Sequence, residues 1–176
     1  MPCIKSVKQN ICRGLRCEFS RFNFKCVVAG ALIILLCGFL SAFVTGTTLS
    51  YRELVKPPLA LPAIVFPIVW TILYLLIGGA AGAVACSCDK ALDGDKYKGL
   101  LFFVIMMVFN FIWSPLFFGA RAYFAALVAI IMMIVLTFFV IRFFSRIYKT
   151  AAAAMIIYLV WLFFAAYLNL AIIILN

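Results

Sequence analysis

Apolar and polar positions alternate on a scale of about twenty residues. Five stretches, near residues 26–49, 62–87, 99–119, 122–141 and 150–175, run almost without charge, with short polar connections between them. Each is about as long as a helix needs to cross a bilayer of ~30 Å. In hydrocarbon every backbone donor and acceptor has to be satisfied within its own segment, so runs of this kind predict helices. The expected fold is an all-α membrane protein, a five-transmembrane-helix bundle occupying residues 26–176 and preceded by a basic tail over residues 1–25. That tail reads either as an amphipathic helix on an anionic membrane surface or as a frayed segment. A mitochondrial import segment is a further reading of the same residues.

Within the spans, helical periodicity assigns faces. Phe66, Trp70, Tyr74 and Ile77 recur every three or four residues and share one side of the second helix. Asn110, Trp113, Ser114 and Phe117 share one side of the third, and Tyr158, Trp161, Ala165 and Asn169 one side of the fifth. The fourth span is aliphatic and phenylalanine-rich, and it offers no chemistry. Pro57, Pro58, Pro62 and Pro67 crowd the start of the second span, which predicts a helix that comes into the membrane bent. Pro115 predicts a second bend near the end of the third. Gly78 and Gly82 form a GxxxG pair that lets another helix approach closely.

Composition narrows the function classes. The 176 residues are 69% hydrophobic and 11% charged, with a mean hydropathy of +1.26, which excludes a water-soluble globular domain. Histidine is absent, and with it the commonest general base and metal ligand. The net charge of +10 is explained by placement. Twelve basic residues precede the first span or lie in the second and fourth connections, against Arg52, Lys56 and Arg121 in the first and third. This positive-inside pattern places the N-terminus in the cytoplasm and leaves no call for a nucleic-acid partner. Uncharged spans also argue against proton transport and voltage sensing.

Seven cysteines occupy the N-terminal half, mostly on the side assigned to the cytoplasm. A reducing compartment predicts free thiols there rather than disulfides. Cys86 and Cys88 form a CxC, but without a second pair or a histidine no zinc site is expected.

Three aromatic and polar stripes that converge would enclose a flat-walled apolar cavity suited to a large planar ligand; rings that fill the bundle centre are the alternative. The segments KPPLALPAIVFPIVWTILYLLIGGA, FNFIWSPLFFGA and YLVWLFFAAYLN resemble, in order and spacing, the three signatures of the TspO/MBR family, the tryptophan-rich sensory and translocator proteins. The resemblance implies a five-helix membrane fold, commonly a homodimer, that binds porphyrin or haem as ligand, with the first connection as a lid. It requires no cofactor. It matches Trp70 and Trp161 to the pocket tryptophans, Tyr74 to the ring one turn after the first, and Tyr51 and Pro62 to lid positions. Phe66, Asn110, Trp113 and Ser114 fall on the pocket stripes, and Ala165 matches the small residue one turn past Trp161.

Leu59, Leu61 and Ile157 depart from the family pattern. The cholesterol-recognition pattern lacks its basic residue at the end of the fifth span, so sterol is not an expected partner, although Arg121 to Leu127 fits the inverse pattern.

The expected function is a membrane receptor that senses, sequesters or translocates tetrapyrroles. One alternative is a porphyrin-degrading enzyme that uses the pocket tryptophans, for which the chain offers no general base, nucleophile pair or metal. Another is a small exporter or assembly partner that oligomerises through Gly78 and Gly82. The expected location is a bacterial cell membrane, with a mitochondrial membrane as the alternative.

Overall fold

A computed structural model describes residues 23–45, 62, 64–87 and 92–175. Among them are five helices long and apolar enough to cross a membrane: α1 (Phe24–Thr45), α2 (Val65–Ala85), α3 (Asp93–Ser114), α4 (Tyr123–Ile147) and α5 (Lys149–Leu175). The chain is an integral membrane protein of five-helix architecture. The basic tail up to residue 22, Tyr51 and Cys88 lie outside the described residues.

The helices run up and down. Around the bundle α1 packs on α2, α2 on α5, α5 on α4 and α4 on α3, with a thinner α3–α1 contact closing the ring. The short turn after Gly119 makes α3 and α4 antiparallel neighbours, and Arg121 takes up the left-handed backbone there, with φ of 51°. Ile77, Met106, Val140, Met155 and Tyr158 form the core where α2 to α5 meet. Helix α1 lies outside this core, and Leu32, Leu36, Leu40 and Phe43 are exposed along its outer side.

Lys25, Lys96, Arg142, Arg146 and Lys149 all fall at one end of the bundle, where Arg146 Nη1 donates to both carboxylate oxygens of Asp95, at 2.7 and 3.0 Å. The pair joins the start of α3 to the end of α4. Being partly exposed, it contributes up to ~1 kcal/mol.

Two sequence expectations are corrected here. Cys26 and Cys86 are not free thiols: a disulfide joins the start of α1 to the residue after α2, with Cα atoms 6.3 Å apart. The reason is steric. A Cβ on Gly30 would collide with the carbonyl oxygen of Gly78, and one on Gly82 with that of Cys26. Backbones this close bring the two thiols within bonding distance at the basic end, whatever compartment that end faces. The same contacts settle what Gly78 and Gly82 do: they seat α1 on α2 inside one chain, so an oligomer interface built on that pair does not hold.

The second correction concerns proline. Pro67 is the third residue of α2, where its missing N–H belongs to the donors that a helix start leaves unpaired in any case. The helix therefore starts between Pro62 and Pro67 and continues unbroken to Ala85, while Pro57 and Pro58 lie outside the described residues. Pro115 does act on its helix: the next turn widens into a π-helix over Pro115–Gly119, closed by Ala120 N–H donating to the Pro115 carbonyl at 2.9 Å. Lacking an N–H, Pro115 leaves the Phe111 carbonyl, four residues back, without its helical donor. The Ser41 hydroxyl of α1 donates to that carbonyl instead, at 3.1 Å. A proline on one helix thereby fixes the outer half of another.

Candidate functional site

Opposite the basic end, three helices bring their tryptophans together. Trp70 of α2 has its ring centroid 6.3 Å from Trp113 of α3, tilted by 35°, and 6.3 Å from Trp161 of α5, edge-on at 84°. Phe66 stands edge-on to Trp161 at 6.2 Å, and Trp113 stacks on Phe117 at 5.1 Å. Edge-to-face and offset contacts are the favoured geometries for aromatic rings. The three stripes therefore do turn inward, as their spacing predicts. They also occupy much of the space that they surround.

Among the described residues, a space lies on each side of Trp70. The larger has a volume of about 140 Å³ and lies between α1, α2 and α3. Trp70, Tyr74, Trp113 and Phe118 form its inner wall, and Gly38 and Ser41 its α1 side. The smaller, about 20 Å³, lies against α5 beside Trp161, Ala165 and Asn169, with Trp70 and Phe66 on its other side. Lining is almost wholly apolar, and none of the described residues around either space is charged. Such a site can hold a flat hydrophobic molecule by ring contact, and among the described residues it offers neither a nucleophile with a base nor a cluster of metal-binding side chains.

Of the sequence candidates, Phe66, Trp70 and Trp113 border both spaces. Tyr74 and Ser114 border the larger, Trp161 and Ala165 the smaller. Pro62 is exposed just before α2, its carbonyl accepting the Val65 N–H at 2.9 Å. Asn110 lines neither space. Its Oδ1 accepts the Tyr74 hydroxyl at 2.8 Å, and its Nδ2 donates to the Tyr158 hydroxyl at 2.7 Å. The mid-membrane amide is thus consumed in tying α2, α3 and α5 together, and 3% of it is exposed.

Sequence reasoning passed over the α1 side of the larger space. A Cβ on Gly38 would run into the Tyr74 ring, so the glycine makes room for that ring. The four-residue spacing of Gly30, Ile34, Gly38 and Ala42 could have marked this face.

A family model described as TspO/MBR matches residues 29–175. The chain belongs to the TspO/MBR family. It is 35% identical to a tryptophan-rich protein TspO of Chlorobaculum tepidum, over 86% of this chain and 98% of that one. It is 33% identical to a tryptophan-rich protein TspO of Archaeoglobus fulgidus, over 88% and 99%. A translocator protein homolog of Schizosaccharomyces pombe is 27% identical, over 84% and 90%. For a TspO/MBR protein of this length, the match covers the whole aromatic site.

Proposed function

We propose that this protein is a membrane receptor for tetrapyrroles, which it senses, sequesters or passes along. The observation that carries the reading is the convergence of Trp70, Trp113 and Trp161, from three helices, around an uncharged apolar cleft that α1 covers. Flat indole faces contribute contact area at low conformational cost, and they suit a planar conjugated ring. The cleft of about 140 Å³ is smaller than a tetrapyrrole macrocycle, so binding has to widen it. Helix α1 is the wall that can give, because its inner half is clamped by glycine contacts and the disulfide while its outer half is held by the Ser41 hydroxyl bond.

The test is a titration of protoporphyrin IX into the protein in lipid nanodiscs, followed by tryptophan emission and by the porphyrin's main absorption band. Saturable quenching with a band shift is expected, weakened about tenfold or more when Trp70 and Trp161 are replaced by leucine. Uptake that matches empty nanodiscs would sink the reading.

A further inference from the structure

Asn169 lies on α5 two turns beyond Trp161. It is 1% exposed, and neither its Oδ1 nor its Nδ2 has a hydrogen-bonding partner among the described residues. The indole Nε1 atoms of Trp113 and Trp161 are buried and unpartnered as well. All three residues line the same space of about 20 Å³. Nearly all buried polar groups are paired, and an orphaned amide in an apolar interior is costly. Three such residues around one small space point to something that the space receives.

Its chemistry follows from the hydrogen-bonding inventory. The amide nitrogen and two indoles together offer four N–H donors against a single acceptor oxygen. The group received is therefore chiefly an acceptor. It is also uncharged, because among the described residues no lining side chain carries a positive charge and a carboxylate buried without a cation is strongly disfavoured. In size the space admits a carbonyl oxygen and not a ring, which leaves the body of a ligand against Phe66 and Trp70.

We propose that Asn169, supported by the indole N–H of Trp161, is the polar anchor of the site and takes an uncharged carbonyl oxygen at the edge of an otherwise apolar ring system. Resting on the tetrapyrrole reading, this names the class: a macrocycle or open-chain tetrapyrrole with a formyl, keto or lactam carbonyl on the edge that goes in first. Its acidic groups then remain at the opposite edge, away from Asn169.

The experiment compares two porphyrins of equal charge, one with a formyl group where the other has a vinyl, titrated into wild-type protein and Asn169→Leu in nanodiscs. A neutral hydrogen bond to a buried amide corresponds to about a five- to tenfold preference for the formyl compound in wild type. That preference, read as the ratio of the two affinities within each protein, should vanish in the variant. The ligand-free variant should also melt at or above the wild-type temperature, because leucine leaves no unpaired polar atom. An equal formyl preference in both proteins overturns the anchor. So does a lowered melting temperature, which would assign Asn169 to a structural water.

If neither porphyrin saturates the wild-type protein, the tetrapyrrole reading has failed, and a diaryl ketone, benzophenone, then tests the anchor by itself. Its carbonyl stretch should fall to lower wavenumber on binding to the wild-type protein, a measurement that needs no variant. An unshifted stretch ends the proposal.

Discussion

Replacing Asn110 by leucine should destabilise the bundle far beyond the worth of the two hydrogen bonds it removes. Inside membranes such bonds average about 0.6 kcal/mol each, so their direct loss comes to about 1 kcal/mol. The larger effect lies in what stays behind. The Tyr158 hydroxyl is fully buried and retains only the Met133 sulfur at 3.6 Å, while the Tyr74 hydroxyl loses its sole hydrogen-bond acceptor among the described residues. An orphaned buried hydroxyl costs about 1–3 kcal/mol, which brings Asn110→Leu to about 2–4 kcal/mol. Tyr74→Phe and Tyr158→Phe should each cost about 1–2 kcal/mol, since each strands one side of the amide.

The decisive comparison is the triple variant, which removes every polar atom of the group while leaving both rings in place. It should lie within about 1 kcal/mol of wild type, well above the sum of the three singles. Reversible unfolding in mixed micelles, followed by near-ultraviolet circular dichroism, measures all five proteins. Additive losses in the triple would refute the reasoning, because they would mean that each residue acts alone rather than as one interlocked group.

Closing the 60-residue separation between Cys26 and Cys86 should stabilise the fold by about 4 kcal/mol on a chain-entropy basis, so Cys26→Ser or added reductant should lower the unfolding midpoint, with alkylation of Cys86 as the chemical readout. Gly82→Val places a side chain on the Cys26 carbonyl, so it should part α1 from α2 and prevent the disulfide from forming; non-reducing mass spectrometry reads the result. Ala165→Phe fills the space beside Trp161 and should weaken porphyrin binding about tenfold or more, as seen by fluorescence titration, with the helical content retained.

How far the sequence could be read depends on whether a feature is local. The five spans were legible because charge is excluded from hydrocarbon along each run separately, and the faces of α2, α3 and α5 because helical spacing needs no partner. Distances between helices have no such signature. The Trp70, Trp113 and Trp161 stripes could be placed on inward faces, yet only packing shows that their rings take up most of the room between them. Asn110 falls on a pocket stripe by spacing, and only packing shows that Tyr74 and Tyr158, 36 and 48 residues away, already use its amide. Cys26 and Cys86 were judged by compartment, although a glycine contact between helices decides their pairing. The Ser41 bond was out of reach, since it depends on a carbonyl that a proline frees 70 residues further on.

That hydroxyl bond has a consequence for how affinity is measured. It is one weak link on a helix whose far side is bare, so the surrounding acyl chains complete the enclosure of the cleft. Lateral pressure in the bilayer thus acts as a silent third party in any association with α1. A micelle, which exerts little such pressure, should report a different dissociation constant from a thick, tightly ordered membrane. A set of nanodiscs graded in chain length would turn that difference into a curve.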